Sequence, residues 1–316
     1  MTPTQSVPFY AEEVLAALAI TSTQVADLIE KLIRDRDAGK VWSAPKASIA
    51  VPDDRYIMST IAAADDPPYL AIKSLLLNPR NPGNGEPRMN SVIALQDSET
   101  GRPLALLDGN WITAVRTAAL SLVAARRMAR PDSRVVAFIG SGLQARSHLD
   151  ALAEHFPLTD IRLFGRGRPN IDALCALAAQ HGVNAHVADT PADAMRGADI
   201  VVSSITRVPG AAPFADVADI APGAFAALVD LARPWHPAGL ATLAKIIIDD
   251  RAQEATMKDP MVPLDDVTGD LADLVLGRVD MQVAAAARTA FIFRGYALGD
   301  FALAALAYEA ASAAFV

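Results

Sequence analysis

Apolar and polar positions change period several times along the chain. Val25, Leu28, Ile29, Leu32 and Ile33 recur at helical spacing, and the polar stretch Asp35–Gly39 closes the pattern, which predicts an N-terminal amphipathic helix. Residues 41–108 switch to short β-like runs, ASIAV, YLAIKSLLL, SVIALQD and LALLD, separated by DD, PP, NPRNPGNGEP and SETGRP clusters; this predicts a meander of strands. Trp111–Arg130 is helical and Ala-rich, and the Pro131-Asp132-Ser133 break leads into RVVAFIG, an apolar run of the kind buried on both faces of a parallel sheet. Helix and strand patterns then alternate through LQARSHLDALAEH, DIRLFG, NIDALCALAAQHG, NAHVA, PADAMRGA and DIVVSSI, which specifies βαβ units. AFAALVDL and KIIIDD extend the sheet, and the Ala-rich stretch from Met281 to Val316 reads as helical. The expected organisation is a β-rich α+β domain over 1–120, completed by a C-terminal helix at about 288–316, and a doubly wound parallel α/β domain over 121–287.

Composition narrows the function classes. At 316 residues, with 20% charged and 52% hydrophobic positions, the chain has the size and make-up of a globular protein of about two domains. A net charge of −8 repels polyanions, so nucleic acid is not an expected partner, and an anionic ligand needs a local cationic pocket. The apolar stretches are broken by charges before the ~18 residues that a membrane span requires, so no membrane association is expected. The segment MTPTQSVPFYAEEV shows no basic stretch followed by an apolar run, and the single Cys175 forms no internal disulfide; the expected compartment is the cytoplasm. His148, His155, His181, His186 and His236 have no metal-ligand spacing with Cys175 and are read as solvent-facing or capping residues, with no metal.

Gly140-Ser141-Gly142-Leu143-Gln144-Ala145 directly follows the strand VVAFI and opens a helix, the context in which G-x-G-x-x-G/A binds a dinucleotide. The first glycine permits the tight turn, the second admits a pyrophosphate, and Ala145 lets helix and strand pack closely. This makes the α/β domain a Rossmann-type one. After the next strand stands Phe164-Gly165-Arg166-Gly167-Arg168, with no acid for a ribose hydroxyl and two arginines suited to a 2′-phosphate; NADP(H) is preferred and NAD(H) possible, solvated surface arginines being the other reading. Ser204, near the end of DIVVSSI, and Thr206, just past it, complete the expected cofactor contacts.

Around this fingerprint the text MNSVIALQDSETGRPLALLDGNWITAVRTAALS, followed by ARPDSRVVAFIGSGLQARSHLDAL, resembles the ornithine cyclodeaminase and μ-crystallin family. The likeness runs from PPYLAIKSLLLNPRNP through GADIVVSSITRVPG to FRGYALGDFALAALAYEAA. It implies a nicotinamide cofactor in the Rossmann domain, a homodimer built by the β-rich domain, an active site in the cleft between domains, and an imino or amino acid substrate. By the resemblance, Lys73 lies beside substrate and nicotinamide, Arg116 receives the substrate carboxylate, Lys46 stands where a second family arginine binds it, and Ser91 sits near the ligand. On the residues alone, a lysine inside LAIKSLLL is costly to bury unless paired or functional, the alternative being an outward position on an alternating strand. Arg116 read the same way is a carboxylate fork or a helix salt-bridge partner.

Where the cyclodeaminase branch has a glutamate, the nearest match is Tyr56, and where it has an aspartate before proline, Ala232 stands in Leu231-Ala232-Arg233-Pro234-Trp235. Asp230 lies two residues earlier, on the same face if the strand extends that far, and either substitutes catalytically or caps the strand. The resemblance thus implies an NAD(P)H-dependent oxidoreductase interconverting a 2-imino acid, such as a cyclic ketimine, with its amino acid. The alternatives are an ammonia lyase that recycles NAD and a non-catalytic NADPH and small-ligand binder.

Overall fold

The computed structural model describes residues 6–206 and 210–314. The first five residues, 207–209 and the last two lie outside it; parts of the leader reading, of the GADIVVSSITRVPG motif and of the expected C-terminal helix fall there. The chain divides into two compact units, one running up to Arg116 and resuming at Tyr296, the other Thr117–Gly295. No helix among the described residues is long and apolar enough to cross a membrane.

The first unit holds strands β1 (Phe9–Tyr10), β2 (Val41–Ser43), β3 (Ala47–Ala50), β4 (Tyr56–Ala64), β5 (Tyr69–Leu77), β6 (Met89–Asp97) and β7 (Pro103–Asp108). They form one sheet in the order β1-β7-β6-β5-β4-β2, with β3 also on β4, and β4 to β7 make the antiparallel meander. Alternation turns Met58, Thr60 and Ala62 of β4, Ala71, Lys73 and Leu75 of β5, and Ile93 and Leu95 of β6 to a buried face. Helices Ser22–Asp37 and Ala297–Ala314 supply the cover. The first starts earlier than its apolar stripe suggests, because Thr21 and Gln24 form a capping box that satisfies its first amides. Strand β4 is absent from the predicted runs. Its sequence YIMSTIAAA ends in three alanines, which are weak β-formers, and it is held as a strand by antiparallel partners on both edges. On the opposite face Phe9, Trp42, Ile49, Ile61 and Leu106 stand exposed, and the register Phe9↔Leu106, Leu106↔Ala94, Ala94↔Ile72, Ile72↔Ile61, Trp42↔Ala63 and Ile49↔Ile57 makes this one continuous apolar surface.

The second unit is the expected doubly wound sheet. Strands β8 (Val135–Ile139), β9 (Asp160–Phe164), β10 (Asn184–Val187), β11 (Ile200–Ser203), β12 (Phe225–Leu228), β13 (Lys245–Ile248), β14 (Gly269–Asp270) and β15 (Thr289–Ile292) run parallel in the order β10-β9-β8-β11-β12-β15-β13-β14. The chain builds outward from β8 to β10 and then returns to lay β11 on the other side of β8, so the topological switch, where ligands bind such sheets, falls between β8 and β11. Two expectations are corrected. The stretch from Met281 is not continuously helical: TAFI is fully buried between β12 and β13 as β15, and the helix starts only at Ala297. The chain therefore passes back to the first unit after Gly295, not near residue 288, and the earlier crossing falls at Arg116, inside the helix Gly109–Met128.

Candidate functional site

The glycine loop of the second unit is built as its spacing requires. Gly140 has φ +105°, and a Cβ there would lie 2.9 Å from the Ser204 carbonyl oxygen, so only glycine fits the turn. Gly142 is the N-cap of the helix Leu143–Ala153 with no side chain capping it, and a Cβ added there meets nothing within 4 Å. Open space therefore lies over amides that a helix leaves unsatisfied, the arrangement that receives a phosphate. Gly165 permits a further close approach, since a Cβ at that position would meet Ser141 Oγ. Ala145 is fully buried behind the loop, and Leu143 points out, half exposed.

A cavity of about 800 Å³, within the range of small-ligand sites, opens over Gly140–Gly142 and is walled by Arg166, Ser204, Thr206, Asp230 and Trp235 among others. Among the described residues, buried Ser204 Oγ and Gln144 Oε1 have no hydrogen-bond partner. Unmet polar atoms, a glycine cradle and a cavity of this size fit a dinucleotide. The two arginines part ways: Arg166 is exposed on the cavity wall, whereas the Arg168 guanidinium turns to Asp172 one helical turn on, with Nε 2.9 Å from Oδ1.

Asp230 is not placed by strand alternation, because β12 ends at Leu228 and the next residues, Leu231 and Ala232, take left-handed φ values of 62° and 55°. Its Oδ2 accepts the Ser203 hydroxyl at 2.6 Å and the Ile205 amide at 3.1 Å, while Trp235 Nε1 donates to Ser203 Oγ at 3.1 Å. The carboxyl thus ties the end of β11 to the strained turn after β12. Burial pushes its pKa up to about 6, against those two hydrogen bonds.

Of the five histidines, His148 departs from the expectation of a surface or capping role. It is fully buried, Nδ1 lies 2.7 Å from the Gln144 carbonyl and Nε2 2.9 Å from Ser121 Oγ, and burial lowers its pKa to about 4. A neutral ring that donates from Nδ1 and accepts at Nε2 satisfies both contacts and fastens the cofactor-loop helix to the helix Gly109–Met128.

In the first unit Lys73 takes the buried alternative. Its ammonium is inaccessible, donates to Asp300 Oδ1 at 3.0 Å and to Thr113 Oγ1, and lies on β5 directly opposite Thr60 of β4. Arg116 is buried as well, its Nε 2.9 Å from the same Asp300 oxygen, an ion pair off the hydrogen-bonding line. The Thr60 hydroxyl donates to Asp300 Oδ2 at 3.2 Å. Burial pulls the Lys73 ammonium down to about 8, with Arg116 and Lys46 adding to the fall and Asp300 resisting it. Burial alone would raise the Asp300 carboxyl, but Arg116 and Lys73 beside it hold it below the usual carboxylate range.

Lys73 and Arg116 therefore meet, and Lys46, half-buried before β3, is near enough for its charge to act on Lys73. Two other candidates do not join them. Tyr56 starts β4 opposite Leu77, four residues from Thr60, and Ser91 packs under Gly109 and donates to Asn110 Oδ1 at 3.1 Å, securing the start of the next helix. Asp300, Thr60 and Thr113 were not singled out by sequence. The available signal was Asp300 itself, an acid inside YALGDFALAALAY, just as exceptional as a lysine inside LAIKSLLL.

Among relatives, the ketimine reductase mu-crystallin of Rattus norvegicus is 29% identical over 257 residues, covering 80% of this chain and 79% of the relative. A Delta(1)-pyrroline-2-carboxylate reductase of Bacillus cereus is 32% identical over 136 residues, 43% of this chain and 42% of the relative. The solved structure of Thermococcus litoralis Delta(1)-pyrroline-2-carboxylate reductase in complex with NADH and L-proline superposes with a TM-score of 0.88 at 26% identity, over 98% of this chain and 99% of that one. Residues 9–314, which include both the glycine cradle and the Lys73 cluster, match the ornithine cyclodeaminase/mu-crystallin family, and the chain belongs to that family.

Proposed function

We propose that the protein is an NAD(P)H-dependent reductase of 2-imino acids, with cyclic ketimines such as a pyrroline carboxylate as the substrate class. The observation that carries this is the buried Lys73–Asp300–Arg116 cluster: an ammonium that burial lowers to about 8 beside a guanidinium, within a family whose named relatives reduce ketimines. When bound, the nicotinamide cofactor supplies the hydride. The second unit holds it, with the Gly142 amides on the pyrophosphate and Ser204 and Thr206 on the cavity wall. Arg116, joined by Lys46, receives the substrate carboxylate by charge-assisted hydrogen bonds. Lys73 Nζ carries the proton that accompanies reduction of the C=N bond to an amine, and accepts it back in the reverse direction. Asp230 is given a structural part, since its Oδ2 is already committed to Ser203 and Ile205.

NADPH is the preferred donor in this reading, through Arg166 rather than Arg168, because only Arg166 lines the cavity without an ion-pair partner close by. The protein acts as a homodimer through the exposed apolar face of the first unit's sheet.

The test is a turnover screen of 2-imino acids with NADPH and NADH. The expected result is oxidation of NADPH, loss of turnover by about 10²-fold or more in Lys73→Ala with cofactor binding kept, and an NADPH Kd raised roughly tenfold in Arg166→Ala with NADH little changed. Full activity in Lys73→Ala overturns the mechanism, and equal weakening of both cofactors overturns the preference. Ammonia release from an amino acid without net cofactor oxidation makes the protein a lyase, and cofactor binding with no turnover makes it a carrier.

A further inference from the structure

We infer that Asp300 is a positioning residue of this reaction, its one buried carboxylate shared between Lys73 and Arg116 so that the proton carrier and the substrate-carboxylate clamp are held as one unit. The inference rests on the reductase reading for the roles of those two cations, but the geometry stands without it. Lys73, Arg116 and Asp300 are only 1%, 4% and 3% exposed, so two cations are packed together with little water to screen them. A single oxygen, Asp300 Oδ1, lies 3.0 Å from Lys73 Nζ and 2.9 Å from Arg116 Nε, which offsets their repulsion and sets their separation.

The carboxylate is itself fixed. Its second oxygen takes the Thr60 hydroxyl across from Lys73, and it sits in the first turn of the helix Ala297–Ala314, where the helix dipole favours an anion. Thr113 accepts from Lys73 and donates its own hydroxyl to the Gly109 carbonyl oxygen at 2.6 Å, so its acceptor lone pair is directed at the ammonium. An ammonium has three donors. Asp300 and Thr113 take two, which fixes the direction of the third. The groups acting on Lys73 are therefore Asp300 from the C-terminal helix, Thr113 and Arg116 from the helix that follows β7, Thr60 from β4 and Lys46 from the loop before β3.

The variant Asp300→Asn keeps the shape and removes the charge. In imine reduction the rate falls at high pH as Lys73 loses its proton; with the anion gone and Arg116 and Lys46 still acting, that limb is expected to move toward lower pH by about one unit. Binding of pyrrole-2-carboxylate, a planar monoanion probe of the Arg116 clamp, is expected to weaken roughly tenfold, while NADPH binding stays unchanged. A purely structural aspartate would lower the melting temperature without moving the pH limb, and a folded Asp300→Asn protein with the wild-type pH limb and probe affinity overturns the inference. Should that variant fail to fold, carbon-13 NMR of the wild type decides: Asp300 must stay ionised from pH 5 to 9 while Lys73 titrates well below its ordinary 10.5. An Asp300 carboxyl that takes up a proton within that window, or a Lys73 that titrates at 10.5, overturns it equally. Probe binding and NMR need no turnover, so an inactive wild type counts against the reductase reading alone.

Discussion

Gly140 and Gly142 stand two residues apart and answer different demands. At Gly140 the backbone lies in the left-handed region and a methyl group would press on the Ser204 carbonyl at 2.9 Å, so Gly140→Ala is expected to cost about 1–3 kcal/mol, read as a lower urea midpoint. At Gly142 nothing stands in the way, so Gly142→Ala should leave the urea midpoint of the cofactor-free protein within about 0.5 kcal/mol of wild type. Its methyl would occupy the space over the helix amides, and the NADPH Kd is expected to rise tenfold or more, about 1.4 kcal/mol. Unimpaired NADPH binding by Gly142→Ala would remove the pyrophosphate from that position. The motif G-x-G-x-x-A was legible because each small residue is demanded by backbone geometry local to one turn. His148 was misread for the opposite reason: a polar ring is buried only because Ser121, 27 positions away in sequence, meets its second nitrogen.

The sheet of the first unit has two unlike faces. One is closed by the helices Ser22–Asp37 and Ala297–Ala314; the other leaves Phe9, Trp42, Ile49, Ile61 and Leu106 at 39–60% exposure along one continuous surface. The homodimer proposed above would cover this patch on both copies at once by an isologous pairing. Trp42→Lys combined with Ile61→Lys places like charges within such an interface. The expected result is a drop in light-scattering mass from that of two chains to that of one, with the far-ultraviolet circular dichroism kept. A wild-type protein already at the mass of one chain, or a double variant that stays dimeric, rejects this face. At the level of elements, strong runs such as YLAIKSLLL and VVAFI were plain, whereas β4 was not, because its alanine end, 62–64, owes its conformation to the β2 and β5 edges beside it.

The first unit is discontinuous in sequence, and its last helix brings both hydrophobic cover and the anion of the Lys73 cluster. A chain that stops at Gly295 would uncover the face that carries Met58, Ala62, Ala71, Lys73, Leu75 and Ile93 and take from Lys73 and Arg116 their counter-charge. Hydrogen exchange is expected to show β4, β5 and β6 unprotected in the truncated protein while β8, β11 and β12 stay protected and NADPH still binds; protected β4–β6 amides would contradict it. The sequence by itself determined the α/β alternation, the glycine cradle, the meander and the family, because these rest on periodicity and on contacts between near neighbours in the chain. Only the tertiary structure decided that TAFI is an inner strand, that Asp230 bridges two strand ends, that Arg166 and not Arg168 faces the cavity, and that Asp300 joins Lys73. Each of these depends on a partner 25 or more residues away, or on which way one side chain turns from a loop, and neither leaves a periodic trace in the chain.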